Sequence, residues 1–195
     1  MIKNVLCCVA FFVLMTNSAI AQSWSRDNHF YIGYVNGIEF FGGGDDFDYE
    51  PAYAFAGQVG YAFGQWRAEG ELTYEDTTFD NANNSDFDLE IIRFAASLFY
   101  DLPPLSAVGG ASPYAGGGLG ISNVSVAATA NNNDFEDDTA AFTFHGEVGI
   151  NFNVASRLAI VPHYRFEWFD SGGELGTIDN NFYTHALRVA ARVSF

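Results

Sequence analysis

Cysteine, lysine and long apolar runs are all scarce in this 195-residue chain, and each scarcity closes off a class of protein. The two cysteines, Cys7 and Cys8, fall in the N-terminal segment, too early for a lipoprotein cleavage site. A mature chain beginning at Gln22 then has no thiol for a disulfide, a nucleophile or a metal ligand. Lysine occurs once, at Lys3, and the net charge of −16 excludes nucleic-acid binding through basic phosphate contacts. No run after Gln22 approaches the ~20 apolar residues of a spanning helix. Neither a Gly-x-Ser-x-Gly elbow, a His-Glu-x-x-His helix nor a phosphate loop occurs. The glycines at 116 to 120 lack the spacing and the following helix of a dinucleotide site, so no catalytic residue, enzyme activity or cofactor is expected.

What is present begins with a secretory signal peptide at residues 1–21: Lys3, an apolar run from Val5 to Met15, then the small-x-small triplet Ala19, Ile20, Ala21. One domain, residues 22–195, follows. From Phe30 onward residues alternate with a period of two, interrupted by clusters of Gly, Asn, Asp and Pro, and nowhere with a helical period. Eight strands are predicted, at 29–40, 52–63, 66–78, 88–100, 113–127, 140–153, 157–169 and 182–195. Their outward parity is large and apolar, as in Tyr53, Phe55, Val59, Tyr61, Phe63 or Phe142, Phe144, Val148, Ile150, Phe152. The other parity is mostly Ala and Gly with a few charges, whereas a soluble sandwich would present a broadly hydrophilic face there. Aromatics gather near strand ends, at Tyr53, Phe63, Trp66, Tyr74, Tyr100, Trp168 and Tyr183, like the girdles of a membrane barrel. Strand five is weakly patterned, and its glycines point to a bend or bulge. Only a closed barrel satisfies every backbone group in lipid, so the fold class is all-β: an eight-stranded antiparallel up-and-down transmembrane β-barrel.

On that register Arg67, Arg93, Arg165, Arg188 and Arg192 point inward, as do Glu69, Glu71, Glu147 and Glu167. Such near balance suits a narrow lumen where unpaired charge is costly. A β3–β4 connection folding about Ala82 sets Glu71 opposite Arg93. A tight turn near Ala155 sets Glu147 beside His163 and diagonal to Arg165. An interior of eight strands is just wide enough for side chains to fill, so the network reads as a polar plug, with a small water path as the alternative. His145, Glu147 and His163 together have zinc-like ligand chemistry, but Arg165 beside them repels a cation, and no metal is expected.

With a periplasmic N-terminus, the connections after strands one, three, five and seven lie outside the cell, and most of the 24 acidic residues fall there. They include Asp45, Asp46, Asp48 and Glu50; Glu75, Asp76, Asp80, Asp86, Asp88 and Glu90; Asp134, Glu136, Asp137 and Asp138; and Asp170, Glu174 and Asp179. No basic residue interrupts these groups. Either this mouth attracts divalent cations or basic partner surfaces, or it is a solvated rim that keeps the loops soluble. Pro51 and Gly57 occupy the positions of the glycine and closing glutamate of a calcium loop, which excludes an EF-hand. The connections near Gly64 and Ala155 are tight; the one holding Pro103 and Pro104 is longer than a periplasmic turn usually is.

Several segments resemble the OmpA-type outer membrane protein β-barrel family. Among them are His29 to Gly33, GQVGYAFGQWRAEGELTY over Gly57 to Tyr74, PYAGGGLG over Pro113 to Gly120, and His163, Tyr164, Arg165, Phe166. The terminal Phe195, with Val193 and other apolar residues at alternate positions, resembles the signal read by the barrel-assembly machinery. The resemblance implies a Gram-negative outer-membrane location, reached from the periplasm, with outer-membrane lipid around the strands. It implies no single activity, since members serve as anchors, adhesins, surface antigens or small-solute conduits. The peptidoglycan-binding domain of some members is not expected here, nor is the His-x-Ser arrangement of the lipid A deacylases, because Glu147 and Arg165 stand two residues after His145 and His163. The expected role is structural or surface-interacting, through acidic extracellular loops; the alternative is a porin-like conduit for small or apolar solutes.

Overall fold

Period-two alternation leaves each strand with one apolar and one mixed face, and in lipid the apolar face must turn outward. The computed structural model describes residues 28–42, 51–81, 85–106, 111–130, 133–170 and 181–195. The signal peptide expected at 1–21 lies outside them, as do Asp45, Asp46, Asp48, Glu50, Glu174 and Asp179. The strands are β1 (His29–Gly42), β2 (Ala52–Phe63), β3 (Trp66–Asn81), β4 (Ser85–Asp101), β5 (Ser112–Ala130), β6 (Asn133–Ala155), β7 (Leu158–Asp170) and β8 (Asn181–Ser194). Each pairs antiparallel with the next, and β8 closes the barrel on β1 from Tyr31↔Ser194 to Gly42↔Tyr183. The exposed large apolar side chains include Phe55, Val59, Phe94, Ile121, Phe144 and Leu187. They form the lipid-facing wall.

Gly64 carries the left-handed φ of 66° that the first position of a two-residue II′ hairpin loop requires, and it joins β2 to β3 across Phe63↔Trp66. Trp66 packs edge-on against Tyr100 with ring centroids 5.0 Å apart, in the girdle at this end of the barrel. Phe195 is here too; its backbone N–H donates to the Phe30 carbonyl at 2.9 Å while its side chain stays exposed. The tight β2–β3 and β6–β7 turns both lie at this end.

Three sequence expectations need correction. β5 keeps an unshifted register with β4 and β6 along its whole length, so it has no bulge. Its glycines serve close packing instead: a Cβ on Gly118 would collide with Ser97 Oγ and the His145 ring. Glu71 lies opposite Ala95 and not Arg93, whose partner is Thr73. Finally, Glu147 lies directly opposite Arg165, and His163 faces Gly149, because the β6–β7 turn is displaced and a register shift occurs between Asn153 and Ala155.

At the opposite end β3, β4, β5 and β6 outgrow their neighbours. The β2–β3 ladder stops at Tyr53↔Asp76 and the β6–β7 ladder at Phe142↔Asp170. Pairing nevertheless continues to Asn81↔Ser85 between β3 and β4 and to Ala130↔Asn133 between β5 and β6. Among the described residues, a four-stranded sheet thus stands above the rest of the barrel. Asp76, Asp80, Asp86, Asp88, Glu90, Asp134, Glu136, Asp137 and Asp138, expected on loops, are residues of these strands.

Candidate functional site

Inward parity delivers the charged residues of six strands to one lumen, where water is scarce and each charge needs a partner. Arg67, Arg93, Arg165, Arg188 and Arg192 are all buried, with Glu39, Glu69, Glu71, Glu75, Glu147 and Glu167 among them. Two apolar clusters accompany these charges, one interleaved with the lowest of them and one beyond the highest. One contains Val35, Phe99, Tyr114 and Val161; the other, toward the raised sheet, contains Leu89, Ile91, Val124, Ala141 and Phe169.

In the tier nearest the tight turns, Arg67 pairs with Glu69 at 3.3 Å and Asp101 at 3.1 Å. Its guanidinium lies 4.7 Å from the ring centroids of both Phe99 and Tyr114, the cation–π geometry favoured where water is excluded. The Tyr31 hydroxyl donates to Glu69 at 2.6 Å, and Arg192 completes the tier by reaching Glu69 at 3.4 Å and Asn151 at 3.2 Å. In the middle tier Arg165 bridges Glu71 at 2.6 Å and Glu147 at 2.8 Å. Tyr114 donates to Glu147 at 2.6 Å. Arg188 joins the tiers, bonding Glu71 at 3.1 Å and Glu39 above it. In the upper tier Arg93 pairs with Glu75, with Glu167 at 2.9 Å and with Glu39 at 3.7 Å.

Two of these carboxylates escape the sequence argument. Glu39 has no assigned role there, and Glu75 is grouped with the external acidic residues. The charge count signals one of them, since five inward arginines against four inward glutamates leave one cation in a low-dielectric lumen. Continuing the parity of Arg67, Glu69, Glu71 and Thr73 leads to Glu75. His163 donates from Nδ1 to the Val161 carbonyl at 3.0 Å, and its Nε2 stands 3.8 Å from Glu147. His145 instead turns to Ser97, with Nε2 3.0 Å from Oγ. The two imidazoles are thus engaged separately, and Arg165 occupies Glu147.

On the raised sheet, Asp76, Glu90 and Asp138 are exposed. Tyr74 donates to Glu90 at 3.3 Å. The register pairs Asp76 with Glu90 and Asp80 with Asp86 across β3 and β4. Like charges directly opposite one another are unfavourable within a sheet. Their concentration on the outer face therefore has a stability cost.

The sequence matches the outer membrane protein beta-barrel domain family over residues 7–195. No curated protein matches it. Among solved structures, Neisserial surface protein A is 18% identical, with a TM-score of 0.55 over 88% of this chain and 98% of that one. The attachment invasion locus protein Ail of Yersinia pestis is 15% identical, with a TM-score of 0.54 over 86% and 97%. A major outer membrane protein from Thermus thermophilus is 12% identical, with a TM-score of 0.63 over 87% and 100%. At these identities the likeness is one of fold.

Proposed function

The chain belongs to the outer membrane β-barrel domain family, and from that premise we propose that it is a closed structural barrel whose raised, acidic β3–β6 sheet receives divalent cations or basic partner surfaces. The observation that carries this reading is the state of the lumen. Each of the five inward arginines is buried and held by carboxylates, and an apolar cluster of Leu89, Ile91, Val124, Ala141 and Phe169 closes the layer on the side of the raised sheet. A solute path would have to break several buried pairs at once, which argues against the porin-like alternative. The outer face of the raised sheet, by contrast, carries charge of one sign, which draws oppositely charged partners through its summed field.

The test is a pair of measurements on the refolded barrel. In a planar bilayer the expected result is no steady conductance; a steady open channel would defeat the closed-barrel reading. Isothermal titration of the barrel in nanodiscs with calcium chloride, and separately with a lysine-rich peptide, is expected to give heat that diminishes as salt rises. A flat trace for both at millimolar concentration would remove the acidic sheet's role.

The same proposal assigns residues 1–21 to a cleaved export signal and Val193 and Phe195 to the signal read by the barrel-assembly machinery. Deleting Phe195 is expected to impair insertion more than a deletion between β3 and β4, read as the heat-shifted band on a gel of outer membranes. Normal insertion of that variant would leave the barrel intact as a description and remove the signal. No side-chain constellation among the described residues favours catalysis.

A further inference from the structure

The ladder between β6 and β7 is interrupted within the wall of the barrel. It runs to Gly149↔His163 and resumes only at Phe152↔Ile160. Pro162 falls in the gap, and it has no N–H to donate; its pairing with Val189 on the β8 side is intact. Gly149, on the inward parity between buried Glu147 and Asn151, is only half-buried, and the space its side chain would take is filled by Tyr114 and His163. The outer surface here has a shallow, open cleft of about 580 Å³. Its rim is lipid-facing: Val148, Ile150, Tyr164, Leu187 and Val189 are exposed. Its floor is the luminal network itself, through Tyr114, His163 and Arg188.

The geometry points to a phospholipid of the periplasmic leaflet as the occupant, with one acyl chain in this cleft and its phosphate at Arg157. The β6–β7 turn selects the leaflet, because it lies at the end that the proposed orientation makes periplasmic, and a chain running from there reaches the cleft. Pro162 is five residues from Arg157 in the β6–β7 turn, which at the rise and tilt of barrel strands is about 13 Å, roughly half the apolar band. Charge selects the headgroup, because Arg157 is exposed at the periplasmic end of the same hairpin. A chain lying in the cleft meets apolar rim residues on both sides and covers the interrupted stretch of the ladder.

The test is native mass spectrometry of the full chain released from nanodiscs of phosphatidylethanolamine and phosphatidylglycerol. One phospholipid is expected to remain bound after the surrounding lipids are stripped. Val148→Trp and Leu187→Trp, which fill the cleft from the lipid side, should lower that retained fraction by about tenfold. Val59→Trp, equally exposed but on the opposite wall, should leave it unchanged. Arg157→Gln should reduce the preference for phosphatidylglycerol about threefold. A heat-shift gel verifies that each variant is a folded barrel. Equal retention by the cleft and far-wall variants, or no retained lipid in the unaltered chain, would overturn the proposal.

Discussion

Glu75 and Asp76 are consecutive residues of β3 with the same charge, yet they belong to different environments. Glu75 is buried and paired with Arg93, whereas Asp76 is exposed and lies opposite Glu90. Strand parity alone makes the difference. Inside, where water is scarce, a carboxylate persists only because an arginine compensates it. Outside, water and salt screen the charge, and several carboxylates can crowd together at modest cost. The lumen therefore resembles a core with fixed partners, and the raised sheet resembles a surface free to take on new ones.

The largest effect that would sharpen this contrast is expected for Arg93→Ala. It leaves Glu167 without its ion-pair partner and Glu39 and Glu75 with Arg188 alone, and should cost about 3–5 kcal/mol in urea unfolding of the folded barrel. A loss below about 1 kcal/mol, on the scale of a surface pair, would break the comparison. Glu75→Gln comes next, because it removes one charge but keeps an acceptor toward Arg93; about 1–3 kcal/mol is expected from the same measurement. Combining it with Arg93→Met should cost less than the two single changes added together, by about 0.5–3 kcal/mol. Strict additivity would mean that the two residues do not form a unit.

How far the sequence carries follows from the same physics. The eight strands and their lipid-facing parity are legible because burying the wrong face in lipid is so costly that the alternation cannot be blurred. Register is less legible. A slip of two residues leaves every side chain on its proper face, so hydrophobic pattern cannot detect it. That is why pattern alone matches Arg93 with Glu71 when Thr73 is its cross-strand neighbour, and Glu147 with His163 when Arg165 is. The reach of β3–β6 beyond the wall escapes for another reason. Past Tyr74 and Ile92 the alternation no longer sorts apolar from polar in the membrane's sense, and acidic strand residues read as loop. Glu75 is lost at that boundary, and its burial becomes legible only through the unpaired arginine that the lumen would otherwise contain.

The smallest effect is expected on the outer face, and it is also the most discriminating. Replacing Asp76, Glu90 and Asp138 together by Asn, Gln and Asn removes three exposed charges, two of which lie directly opposite each other across β3 and β4. Each change alone should stay within about 0.5 kcal/mol of the parent, and relief of like-charge repulsion should make the triple variant equal to it or slightly more stable. Binding of a lysine-rich peptide, in contrast, should weaken severalfold at low ionic strength and converge with the parent as salt rises. If the triple variant instead unfolds as readily as Arg93→Ala, the outer acids are part of the barrel's internal bonding. The division of one strand into a bonded face and a receptive face would then be wrong.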